Sequence, residues 1–309
     1  MRDAKLGWLM TALVFLLGIE MVRFHLGSLG WYQRDTLGIG AIDLIPIAVA
    51  PFLAGIVLAV LSRWLSLRYS LMLGVVVLAG GRIANQVAAD PAVDHLTSGV
   101  AVAALVGLLP LLLSLGREVL VTGVLVGITL DSAIKGLGST LDLAYRPGAA
   151  ALVATIVLAS AAVYLAVTHP VPTRAGPHWR PAMGMIGLGP YLFVQYQVLQ
   201  SPGWISELTT VSTGFVAVAI TALNLAAVWA AQRLGRSRAL VATAALVLGA
   251  AVVFADGPLF ALLVIVAIPA AGIVWAGLVP DTPGIAVTPA AVALTVGSVL
   301  FLMIGFAYY

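Results

Sequence analysis

Six ionisable side chains interrupt long apolar runs of this sequence: Glu20, Arg23, Asp43, Arg82, Asp131 and Lys135. A lone charge at the centre of a bilayer costs about 2.5–3.5 kcal/mol on insertion scales, so such residues either neutralise one another or serve a pathway. Counting about 1.5 Å per helical residue from the span ends puts all six at similar depth, in the outer half of a membrane. Three acids and three bases at one level can form a shared polar network. Glu20 and Arg23 are three apart, Asp131 and Lys135 four apart, so each pair shares a helix face and can bridge within its own helix. Asp43 and Arg82 have no such neighbour. They are the residues on which an interhelical gate or polar site is expected, with Asn85 and Gln86 adding hydrogen-bonding groups beside Arg82.

The second half of the chain offers neutral groups instead. Tyr191 and Gln195 are four apart on one helix face, and Asn224 lies one span further on. They can line a cavity facing the charged half, or act as hydrogen-bonding glue between helices. Other chemistry finds little footing. Zero cysteines exclude thiolate catalysis and cysteine metal sites. The histidines at 25, 95, 169 and 178 show no ligand spacing, so neither a metal nor a cofactor is expected. The stretch GMIGLGP (184–190) lacks the preceding strand and following lysine of a phosphate loop. Spacing alone suggests no Ser/His/Asp arrangement, so the sequence makes no direct case for an enzyme.

The elements that carry these residues follow from composition. With 62% hydrophobic and 9% charged residues and a mean hydropathy of +1.12, the chain has too little polar surface to coat a water-soluble globule. Apolar runs long enough to cross about 30 Å of hydrocarbon are expected near 6–25, 38–61, 69–88, 97–115, 119–138, 148–168, 183–200, 206–231, 238–255, 258–278 and 287–308. That makes an all-α, polytopic transmembrane protein of about 11 helices. The run HPVPTRAGPHWRP (169–181) cannot continue a helix, because proline lacks the amide hydrogen and clashes with the preceding turn. It is expected to be a cytoplasmic linker between a six-helix bundle at 1–168 and a five-helix bundle at 182–309.

Charge distribution orients the spans. With a cytoplasmic amino terminus, inside loops hold Arg2, Lys5, Arg63, Arg68, Arg117, Arg174, Arg180, Arg233, Arg236 and Arg238, whereas outside loops hold only Arg34 and Arg146. This is the positive-inside pattern of a plasma-membrane protein. The outside loops carry Asp35, Asp90, Asp94, Asp142, Glu207 and Asp256, so the net charge of +3 reflects topology and gives no support to nucleic-acid binding. All seven tryptophans fall near expected span ends, the level their amphipathic rings favour.

A weak repeat crosses the linker. SRWLSLRYSL (62–71) and QRLGRSRAL (232–240) each place two arginines five apart in a short loop after the second span of a half, Arg63 with Arg68 and Arg233 with Arg238. Two bundles, a basic linker and equivalent basic loops together resemble the major facilitator superfamily, whose signature loop reads roughly G-x-x-x-D-R-x-G-R-R. The second copy keeps Arg233, Gly235 and Arg236. The first keeps Arg63 but has Leu65 at the glycine position, and the acidic position is Ser62 or Gln232. The resemblance implies cytoplasmic gate loops at these residues, a twelfth span not apparent here, and secondary transport of a small or amphipathic solute by alternating access, with no enzymatic activity. Asp43 or Asp131 would then be the group to take up a proton.

A narrower likeness covers GITLDSAIKGLGSTLDLAYRPG (127–148), GLGPYLFVQYQVLQSPGWISELT (187–209) and the closing FLMIGFAYY. These segments resemble the membrane region of bacterial endonuclease/exonuclease/phosphatase-family proteins related to the proteins that remodel GPI lipids. That resemblance implies an alternative: a non-transporting module that binds membrane lipid and presents it to a phosphodiesterase-like domain or partner.

Overall fold

The computed structural model describes residues 7–18, 21, 22, 25, 41–62, 64–88, 90–113, 115, 116, 119–127, 157, 160, 161, 164, 219, 222, 223, 226, 244, 270, 273–275, 279, 291–296 and 299, with the backbone alone at 41–45 and 91. All regular structure among the described residues is helical. Helix α1 is Gly7–Gly18 and helical geometry recurs at 21, 22 and 25. It is followed by α2 (Ala41–Leu61), α3 (Leu67–Val87), α4 (Pro91–Leu113) and α5 (119–127).

Short polar loops set the turns from α2 to α3 and from α3 to α4. Between α2 and α3 the Ser62 hydroxyl donates to the Ala59 carbonyl at 2.7 Å, closing one helix, and Ser66 caps the next by accepting from the Tyr69 N–H at 3.4 Å. Helix α4 starts at Pro91, six residues before the apolar run suggests. Asp90 supplies the cap: its carboxylate accepts from the Ala92 N–H at 2.8 Å, and proline suits the first helical position because its absent N–H would be unpaired there anyway. The Asp-Pro start therefore carries Asp94 and His95, both polar, into the helix. After α4, Gly116 adopts φ +139°, a conformation side chains disfavour, and the chain reverses into α5.

Contacts fix how the helices run. Gly7 meets Val119, Gly123 meets Thr11, and Gly127 meets Phe15, so α1 and α5 lie side by side and parallel. Gly74 against Leu108 and Gly81 against Ala101 run α3 antiparallel to α4, whereas Pro51 against Gly99 and Gly55 against Val106 run α2 parallel to it. Helix α4 is thus enclosed by α1, α2 and α3, and every residue from 101 to 113 is buried. That burial explains why its sequence is apolar all round. Helix α3 has one face on α4, through Leu71, Val75 and Leu78, and exposes Tyr69, Leu73, Val76 and Val87 on the other, a stripe suited to lipid. Helices α3 and α4 are each long and apolar enough to cross a membrane.

Segments from late in the chain join the same core. Trp275, Val279, Ala291 and Leu294 are buried within it, and the Thr295 hydroxyl donates to the Phe52 carbonyl of α2 at 3.3 Å. Trp275 is 1% exposed, so its ring is interior rather than at headgroup level, whereas Trp64 in the α2–α3 loop is 76% exposed and stands where the interfacial rule expects it.

Candidate functional site

The polar face of α3 is the described part of the expected site. Arg82 and Gln86 are one helical turn apart, with Asn85 beside them, and all three project from the side that packs toward α4 and α1. They can approach the core because Gly81 lets α3 lie close to α4: a Cβ there would sit 3.1 Å from the Thr97 carbonyl and from the Ala101 backbone. Arg82 is 8% exposed, and its guanidinium reaches Met21 Sδ at 3.8 Å, beyond the end of α1. A soft sulfur against a guanidinium gives weak hydrogen bonding and good packing along the stem.

Asn85 ties α3 to α4. Its amide nitrogen donates to the Asp94 carboxylate and to the Asp94 carbonyl, the latter at 3.1 Å. Thr97 donates back to the carbonyls of Val93 and Asp94 at 2.8 and 3.0 Å, closing the first turns of α4 around that contact. Gln86 differs from its neighbours. Both atoms of its amide are buried, and neither has a hydrogen-bond partner. A buried, unsatisfied amide costs about 1–3 kcal/mol, so its position has to be explained by something other than stability.

The structure thus brings Arg82, Asn85 and Gln86 together with Asp94 and Met21. Arg68 lies at the opposite end of α3, in its first turn. Asp43 belongs to the first turn of α2, but its side chain is not described. Glu20, Arg23, Asp131, Lys135, Tyr191, Gln195, Asn224, Arg63, Arg233, Gly235, Arg236 and Arg238 lie outside the described residues. Among those described, no group of three or more acidic, histidine or cysteine side chains is arranged to hold a metal. Sequence reasoning missed Asp94 as a member of the cluster. The Asp90-Pro91 start signal was available to extend α4 over it, whereas hydropathy alone placed Asp94 in a loop.

Neither a protein-family model nor a curated protein sequence matches the chain. Solved structures do. The human organic anion transporter MFSD10 (TETRAN) superposes with a TM-score of 0.52 at 14% identity, over 99% of this chain and 93% of that one. The major facilitator transporter FucP in its outward conformation gives 0.56 at 14% identity, over 96% and 89%. A variant of the same E. coli fucose:proton symporter gives 0.59 at 13%, with the same coverage. Identities this low leave architecture as the shared property. This chain has the all-helical, multi-pass membrane fold of the major facilitator transporters.

Proposed function

We propose that the protein is a secondary transporter that moves a small or amphipathic solute by alternating access, its halves at 1–168 and 182–309 rocking about the linker at 169–181. The observation that carries this is Gln86: an amide buried and unpaired, one turn from the buried Arg82, within a fold shared with solute carriers. Such a group is costly in a purely structural bundle. It is useful where a polar solute or water reaches it in another state of the cycle. Asp43, Glu20, Arg23, Asp131 and Lys135 are assigned to the same pathway, with Tyr191, Gln195 and Asn224 lining the cavity from the second half. The basic loops at Arg63, Arg68 and Arg233–Arg238, by their charge, are taken to face the cytoplasm with the amino terminus. Transporter neighbours do not favour the lipid-presenting alternative.

The chain contains no cysteine, so single cysteines report accessibility without further engineering. In sealed vesicles, Gln86→Cys is expected to react with an impermeant maleimide supplied from the extracellular side. Trp64→Cys, in the exposed α2–α3 loop, is expected to react only from the cytoplasmic side. A Gln86→Cys protein inert from both sides would mean that the amide stays permanently sealed, and the transport reading would fall.

A further inference from the structure

The turn between α2 and α3 is built inside out. Ser62 and Ser70 are buried, and their hydroxyls are engaged by backbone: Ser62 donates to the Ala59 carbonyl at 2.7 Å, and Ser70 to the carbonyls of Ser66 at 3.1 Å and Ser62 at 3.4 Å. The main chain also closes on itself. The Trp64 N–H donates to the Leu61 carbonyl at 3.1 Å and the Leu65 N–H to that of Ser62 at 3.4 Å. Leu61, Trp64, Leu65 and Tyr69 are the side chains left exposed. A turn facing water shows its serines and hides its apolar groups, because apolar surface gains by leaving water. This turn does the reverse, and its hydrogen-bonded frame holds the exposed rings in place before any partner arrives.

The exposure continues along α3 as a line. Tyr69, Leu73, Val76 and Gly80 recur at intervals of three and four, so they lie above one another on the side away from α4. Gly80 has nothing within 4 Å of a Cβ, which leaves a notch at the end of that line. From Tyr69 to Gly80 the helix rises about 16 Å, close to half of the roughly 30 Å of hydrocarbon in a bilayer. The line therefore matches one leaflet.

Charge selects the lipid. Between residues 44 and 89 the sequence has no Asp or Glu, whereas Arg63 and Arg68 lie on either side of Trp64. Arg68 is half-buried in the first turn of α3, next to Tyr69. A guanidinium has five N–H donors in a fork that matches phosphate, enough for a phosphate alongside contacts within the protein, and its long stem lets the head reach the interface.

We infer that this face holds an anionic phospholipid, its phosphate against Arg68, its glycerol region beside Trp64 and Tyr69, and one acyl chain along Leu73 and Val76 to the notch at Gly80. Tryptophan and tyrosine rings favour the headgroup level, and basic side chains there favour anionic lipid over zwitterionic. The lipid is a resident neighbour rather than a cargo. The inference stands apart from the transport reading, whose site lies at the other end of α3.

The cysteine-free chain allows the lipid to be read in place. Leu73→Cys, exposed on the line, carries a bimane fluorophore in phosphatidylcholine vesicles that contain a minor fraction of lipid brominated along its acyl chains. Brominated phosphatidylglycerol is expected to quench it at about one-fifth of the fraction that brominated phosphatidylcholine requires, the factor one arginine near an anionic surface supplies. At Leu96→Cys, exposed near the opposite end of the helices, the two lipids should quench alike. Arg68→Gln should remove most of the preference at Leu73→Cys. Equal quenching by the two lipids with native Arg68 present overturns the inference, as does a preference that survives Arg68→Gln or one of the same size at Leu96→Cys. Should Arg68→Gln fail to fold, salt takes its place: about 1 M salt shortens the screening length to about 3 Å, and the preference must fall. A preference unchanged by salt would overturn the inference. Either outcome leaves the transport reading to its own test at Gln86→Cys.

Discussion

Helices α3 and α4 touch along most of their length, and the two ends of that contact are built on opposite principles. At the end near the α2–α3 loop, Gly74 fits against Leu108, and a Cβ on the glycine would come within 2.5 Å of the leucine side chain. Toward the α3–α4 loop, the same helices meet through Asn85 and Asp94, with the Gln86 amide and Arg82 buried beside them. Lipid tails are as apolar as leucine, so helices in a membrane hold together by close backbone approach or by polar contact. Here the first is used at one end and the second at the other. The lesson is that only the polar end holds groups whose burial is costly, and only that end calls for a functional explanation.

Close glycine packing is tested most sharply where α1 meets α5. Gly123 of α5 lies so close to Thr11 and to the Trp8 carbonyl that any side chain must displace backbone. Gly123→Leu is expected to cost about 3 kcal/mol or more and to lower the melting temperature in detergent sharply. Gly80 has nothing within 4 Å of a Cβ, so Gly80→Ala should leave stability unchanged or raise it by up to about 1 kcal/mol through helix propensity. Equal effects of the two would show that glycine packing is not what holds these helices.

A smaller effect is expected at the polar end. In a double-mutant cycle of Asn85→Ala and Asp94→Ala, the coupling should be about 1 kcal/mol, read from unfolding in mild detergent. Coupling indistinguishable from zero would mean that the α3–α4 polar contact does no binding. Smallest is Gln86→Met, which exchanges an unpaired amide for an apolar chain of similar shape. Stability should rise by up to about 1 kcal/mol. A fall in melting temperature would show that the amide is bonded in the resting protein.

Much of the arrangement could be read from residue types. Spans near 38–61 and 69–88 appear as Ala41–Leu61 and Leu67–Val87, because uninterrupted apolar length is what a bilayer selects. The grouping of Arg82, Asn85 and Gln86 was equally legible, since residues one turn apart on one helix share a face wherever that helix packs. The interior position of His25 was not. Its spacing to any other polar residue says nothing about Pro51 or Gly99, which approach it from two other helices. Asp94 was hidden for another reason: hydropathy ends a span where charge begins, while an Asp-Pro cap can start the helix earlier.

The sequence by itself determined a multi-pass helical membrane protein, because the free energy of placing 62% hydrophobic residues depends on composition and run length, both local quantities. Tertiary structure decided which charged and polar groups meet. Whether Arg82 ends against Met21, Asn85 against Asp94, or Thr295 against Phe52 depends on helix order and register. Those are set by where glycines let backbones approach, and no single segment contains that information.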